Sequence, residues 1–388
     1  MSTATGGTLL PTGPLLPRGY RPPPGFDDAV RRAWGVATAK VRSLVEQHPA
    51  QFPLYTRRGK WVTDGDTWTN WGDGFLGGQL WLLALHTGEA WFRARAERYS
   101  ELVVARKDDG SVHDLGHLFW PTWGRWYELT GDEAKNEVLV HAGRTLAGRF
   151  NEKGRFIYSF LGEDSLFIDV MANLDIVFHA ARQTGVPALA QVALDHCLTT
   201  RRWLVRGDGS TAHEGIFDHE TGAFLGHRTH QGWRDDSSWA RGQAWAISGF
   251  CTAYQYTAED RFLGTAYGCA DFYIERTGDN FVPPNDWEEP APEMPFESSA
   301  AAIAAGALWR LAAVSPDPAR AVRYADYAVR TVLRLCEDDF LSSDDPEWEG
   351  VLRHALYHRG RGLGVDESVM WGDYFFLDAL HSIQEGIK

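Results

Sequence analysis

Cysteine is scarce in this chain. Four residues, Cys197, Cys251, Cys269 and Cys336, are spread over 388 positions with no C-x-x-C spacing. That excludes a disulfide-stapled scaffold and a cysteine zinc site, and it reads as free core thiols in a reducing compartment. Positive charge is short as well: 38 Lys and Arg stand against 52 Asp and Glu, a formal net charge of −14. Nucleic acid and anionic membrane surfaces are therefore poor partners, although a local basic pocket for an acidic ligand stays open. No segment approaches the ~18 uninterrupted apolar residues of a membrane span. The opening stretch, MSTATGGTLLPTGPLLPRGYRPPPG, lacks the basic start and apolar run of a secretion signal. It reads as a Pro/Gly-rich arm over residues 1–25, and the expected location is cytoplasmic. G-x-S-x-G, phosphate-loop and dinucleotide motifs are missing too.

What the chain has in excess is aromatic surface: 17 Trp, 13 Tyr and 20 Phe. Each buried indole needs a partner for its N–H, so this density points to a large aromatic core, a cleft with flat walls for sugar rings, or both. The periodic segments are nearly all helical. Helices are expected over 26–48, 74–87, 89–106, 115–130, 132–149, 167–184, 187–205, 237–257, 259–277, 297–313, 317–337 and 366–385. Strand signals are weak and confined to loops, at Arg155–Ser159 and Ala223–His227.

The connections alternate. Tight breaks such as Thr87-Gly88-Glu89, Thr130-Gly131-Asp132 and Gly185-Val186-Pro187 follow the even-numbered helices. Most other connections are much longer, and long loops in a compact domain tend to be functional. Six helical hairpins with every long loop at one end describe an all-α fold, an (α/α)6 barrel filling residues 26–388 as one domain. An open helical solenoid is the competing arrangement, but these repeats share no consensus.

Polar and aromatic residues that fit a core badly collect in the long loops and at the following helix starts. Helix N-termini there suit a carboxylate-bearing ligand. Trp68 and Trp71 lie among turn residues, as a sugar platform or as a plug sealing the barrel. His113-Asp114 precedes a helix, where Asp114 is either an N-cap or a functional carboxylate. Asp169 sits in an apolar run with Asn173 four residues on, which places both on one helical face. Burial there should raise its pKa, as a general acid at neutral pH requires; the alternative is a core Asp satisfied by Asn173. The richest stretch holds His213, His230-Gln231-Gly232 and Ser237-Ser238-Trp239-Ala240-Arg241-Gly242-Gln243-Ala244-Trp245. Histidines 213, 219, 227 and 230 lack helix-borne H-x-x-x-H spacing, so no metal is expected.

These motifs resemble the unsaturated glucuronyl hydrolases of glycoside hydrolase family 88. The resemblance runs from about Trp68 to the C-terminus. It rests on His113-Asp114, Ile168-Asp169-x-Met171-x-Asn173 and the 230–245 block, with support from Ser298–Ala305 and Gly372–Phe376. It implies an (α/α)6 barrel, no cofactor, and a small acidic oligosaccharide carrying a 4,5-unsaturated uronic acid. It also implies catalytic Asp114 and Asp169, with substrate contacts from His113, Trp68 or Trp71, His213, Gln231, Trp239, Arg241 and Trp245. Ser368 is the choice for a serine on the substrate carboxylate. Glu297 departs from the pattern, since relatives often carry Asp before the two serines. The resemblance leaves room for an unsaturated galacturonyl hydrolase on the same barrel. A sugar epimerase or a non-catalytic saccharide-binding protein is a more distant alternative. Oligomeric state is not legible.

Overall fold

In the computed structural model, which describes residues 20–63, 70–292 and 295–387, the helices run in pairs around one continuous apolar core. They are α1 (Phe26–Gln47), α2 (Asp73–Thr87), α3 (Ala90–Leu102), α4 (Leu115–Phe119), α5 (Arg125–Thr130), α6 (Glu133–Ala147), α7 (Asp175–Thr184), α8 (Pro187–Trp203), α9 (Ala240–Thr257), α10 (Asp260–Thr277), α11 (Ser298–Val314), α12 (Pro318–Leu335) and α13 (Met370–Ile387). The inner ring is α2, α4–α5, α7, α9, α11 and α13; α13 packs back on α2, which closes it and rules out the open solenoid. The other helices form the outer layer. Sequence explains the division: α11 (SSAAAIAAGALWRLAAV) buries nearly its whole circumference, whereas α12 (PARAVRYADYAVRTVLRL) keeps a charged stripe for solvent.

The short turns form as expected. Gly88, Gly131 and Gly185 end α2, α5 and α7 with φ of 70°, 62° and 65°, the left-handed geometry that glycine adopts without steric cost. Asp132 and Asp317 cap the helices that follow α5 and α11.

Three expected helices differ at the ends that face the site. The 115–130 helix is interrupted by a π turn over Trp120–Gly124, because Pro121 has no N–H to continue the ladder. The 167–184 helix is instead a strand ending at Phe167, a 3-10 turn over Ile168–Asn173, and then α7. The 366–385 helix starts only at Met370, because Leu363–Glu367 pairs as a strand with Ala355–His358. Residues 1–19 of the expected arm lie outside the described residues; Tyr20 packs edge-on against Trp309. Among the described residues no helix is long and apolar enough to cross a membrane. The four cysteines are buried and unpaired.

Candidate active site

Two glycines decide where the acidic residues lie. A Cβ on Gly116 would fall 2.6 Å from the Asn173 Cα, and one on Gly249 would fall 2.4 Å from the Met171 carbonyl oxygen. The 3-10 turn is thus wedged between α4 and α9, each contact tolerating only hydrogen at that position. The wedge brings Asp169, on the turn, toward Asp114, at the start of α4. Both line one cavity with Trp71, His113, His117, Phe160, Phe167, Gln231, Arg241, Trp245 and Tyr357.

Asp114 stands at the N-cap position of α4, yet its side chain makes no capping bond, so the capping reading fails. Instead its Oδ1 faces Asn173 Nδ2 at 3.5 Å and His113 Nε2 at 3.5 Å. Burial, reinforced by the neighbouring charge of Asp169, pushes its carboxyl up to about 8. Asp169 is raised to about 6, by burial opposed chiefly by the Arg241 guanidinium. Its Oδ2 is buried without a hydrogen-bond partner, as is His213 Nε2, and the two atoms face each other at 3.6 Å. Asn173 does not satisfy the Asp169 carboxylate: on the 3-10 turn its Nδ2 donates to the Asp169 backbone carbonyl and leans toward Asp114, while its Oδ1 accepts from His117 N.

The two histidines are wired alike. The Phe160 backbone N–H donates to His113 Nδ1 (3.1 Å), and the His230 backbone N–H donates to His213 Nδ1 (3.2 Å). Each Nδ1 is therefore an acceptor, and each ring carries its hydrogen on Nε2, aimed at an aspartate. Burial holds His113 well below the usual histidine range and His213 at about 3, so both are neutral donors. A proton relay through a charged His213 is thereby disfavoured.

Of the other expected contacts, Trp71, Gln231, Arg241 and Trp245 reach the cavity. Trp71 donates to the Tyr357 hydroxyl at 3.2 Å. Arg241 has few donors left for a ligand. Its guanidinium serves Leu356 O, Tyr357 O and Gln231 Oε1, and it stacks over Trp239 at 4.4 Å. Trp239 is therefore buried behind Arg241 and His213 rather than offered to a sugar. Ser368 is also a correction: it is fully buried, its hydroxyl accepting from Trp348 Nε1 at 2.7 Å and donating to Leu352 O, away from the cavity. Trp68 lies outside the described residues. Glu297 caps α11 and sits 3.6 Å from Arg241.

The sequence reading did not single out His117, Phe160, Phe167 or Tyr357 as wall residues. It also missed the support behind His213. Fully buried Glu214 accepts from both Arg228 nitrogens (2.8 and 2.9 Å), Ser165 Oγ and His230 Nε2. Burial would raise this carboxyl, but those donors outweigh it and bring it down to about 2. His227 pairs with Trp203 O and His219 with Glu163, so neither joins His213 and His230, and no cluster of three metal-ligating side chains occurs among the described residues.

No family model matches the chain. A curated unsaturated glucuronyl hydrolase from Bacillus sp. (strain GL1) is 32% identical over 374 residues, covering 93% of this chain and 97% of that protein. An unsaturated chondroitin disaccharide hydrolase from Streptococcus pyogenes serotype M1 is 29% identical, covering 90% of each. A crystal structure of the unsaturated glucuronyl hydrolase of Bacillus sp. GL1, described as responsible for glycosaminoglycan degradation, superimposes with a TM-score of 0.84 at 33% identity, covering 92% of this chain and 96% of that one. With its closed (α/α)6 ring and a relative this similar along nearly its full length, the chain belongs to the unsaturated glucuronyl hydrolases.

Proposed function

We propose that this enzyme removes a 4,5-unsaturated uronic acid from the non-reducing end of short acidic saccharides, with Asp169 as the proton donor and Asp114 as its partner. The observation that carries the assignment is the buried aspartate pair, with a neutral histidine Nε2–H directed at each member. The C4=C5 bond of such a sugar is an enol ether through the ring oxygen. Protonation at C4 leaves positive charge shared by C5 and that oxygen, and water adds at C5. The resulting hemiketal opens to a C5 ketone, and the hemiacetal left at C1 releases the saccharide alcohol. One water is consumed, and no carboxylate need attack C1 as in ordinary glycosidases.

At neutral pH the free pair holds about one proton, because burial raises both carboxyls and their like charges oppose double ionisation. A bound uronate brings a negative charge and expels water, both of which raise the Asp169 pKa and draw a proton to it. Once that proton has passed to C4, the carboxylate of Asp169 is the base for the incoming water. Arg241, held beside it, limits how far its pKa climbs. Buried unpaired cysteines support a reducing, cytoplasmic setting, where the substrates would be imported lyase products.

The test is loss of ultraviolet absorbance from the conjugated C=C–carboxylate, using unsaturated disaccharides from chondroitin, hyaluronan, heparin and pectin. Wild type should bleach at least one of the first three, while D169N, correctly folded, should be inactive. Turnover confined to the pectin fragment would replace glucuronyl by galacturonyl. Substantial activity in D169N would overturn the assignment of the acid.

A further inference from the structure

Sixteen tryptophans lie within the described residues, and fifteen are buried or half-buried. Trp233 alone is exposed, at 47% of its surface. Among the described residues its indole makes no ring contact or hydrogen bond, yet the backbone beneath it is tied down by side chains. Trp233 N donates to Asp286 Oδ2 at 2.8 Å, and that fully buried carboxylate also accepts from Ser237 Oγ at 2.6 Å. Gly232 N donates to Thr229 Oγ1 at 3.0 Å, and Asn285 Nδ2 donates to the Gln231 carbonyl at 3.1 Å. A Cβ on Gly232 would meet the Asp286 carboxylate and the Thr229 hydroxyl at 2.9 and 2.8 Å, so a larger residue here would push aside the groups that hold the loop. The fold spends a buried carboxylate and a glycine on fixing a loop whose large apolar side chain then projects into water.

The position of that loop gives the exposed ring a purpose. Phe160, Phe167 and Gln231 line the catalytic cavity, Phe167 lies 5.9 Å from Phe160 and 5.6 Å from the His230 ring, and His230 precedes Gln231. These residues form one continuous wall, and Trp233 follows two positions after its last member. The cavity is small and walled by eleven side chains, so the sugar attached at C1 of the uronate must extend across the rim. A rigidly mounted indole offers a flat, amphipathic face to a pyranose at little entropic cost. Resting on the function proposed above, we propose that Trp233 is the platform on which the aglycone sugar stacks, a specificity residue outside the chemistry.

The experiment compares an unsaturated disaccharide with the methyl glycoside of the same unsaturated uronic acid, in wild type, W233A and W233F. The discrimination in kcat/KM between the two substrates should narrow about tenfold in W233A through the KM of the disaccharide, and W233F should restore most of it. Titration of inactive D169N with disaccharide should change tryptophan fluorescence, and D169N/W233A should lose most of that change. A W233A effect equal on both substrates, or absent from both, overturns the platform while leaving the hydrolase reading intact. Wild type inactive on every unsaturated substrate would instead remove the function on which the inference stands.

Discussion

Replacing Asp114 by Asn should stabilise the protein relative to wild type by an amount that grows as pH rises, while impairing turnover. Burial and the charge of Asp169 lift the Asp114 carboxyl from 3.8 to about 8 in the folded chain, and unfolding returns it to the ordinary carboxylate range. Because the folded value is the higher one, the native state binds more protons between those limits. The stability linked to this group is complete below pH ~4 and drains away as pH climbs toward ~8, at roughly 1.4 kcal/mol per unit. Asparagine does not titrate. The stability difference between D114N and wild type should therefore shift in favour of the variant by about 3 kcal/mol between pH 5 and pH 7. Other titrating groups occur in both proteins and largely cancel. Urea unfolding at the two pH values, fitted with a common m-value, measures the shift directly. A difference that does not change with pH would mean that the native enzyme keeps Asp114 ionised, and the account of the shared proton would fall with it.

Two further outcomes follow from the same geometry. Since the aspartate pair loses its last proton near pH 8, log kcat/KM should fall above that pH with a slope approaching −1, read from initial rates; a rate still rising at pH 9 would contradict a carboxylic acid donor. Gly249→Ala should drive a methyl into the Met171 carbonyl, costing about 1–3 kcal/mol in thermal unfolding and lowering kcat by about tenfold as the turn beneath Asp169 shifts. A methyl accepted without change in either measurement would show that the turn is not wedged.

The hairpin architecture was legible because helix ends are written in local chemistry. Gly88, Gly131 and Gly185 stop helices, Asp132 and Asp317 start them, and α12 carries an obvious polar stripe. The aspartates were legible for a related reason: a carboxylate in an apolar run has no cheap structural excuse. What sequence could not supply was the direction in which a side chain faces. Trp239 and Trp245 are six residues apart in one motif, yet one backs Arg241 and the other lines the cavity. Ser368, offered by the resemblance as a contact for the substrate carboxylate, is a buried connector. His117 is indistinguishable in sequence from a core residue of an apolar helix, and Phe160 and Tyr357 arrive from segments with no helical period. The apolar spacing from Ile168 to Asn173 matches a helix; sheet pairing at Phe167 and the pinch at Gly116 and Gly249 hold it as a 3-10 turn.

That pinch has an evolutionary corollary. Asp169, the proposed acid, rides on a segment clamped by the same inner helices that hold the ring shut, so a change of diameter in the ring is transmitted to its carboxyl. The barrel interior is consequently a poor substrate for adaptation, because a volume change tolerated thermodynamically would still displace that carboxyl. New aglycone preferences can instead accumulate at anchored loops such as 229–238, where a side chain can be exchanged without moving its backbone. Divergence within this architecture should run at two rates, slow around the wedge and fast along the rim.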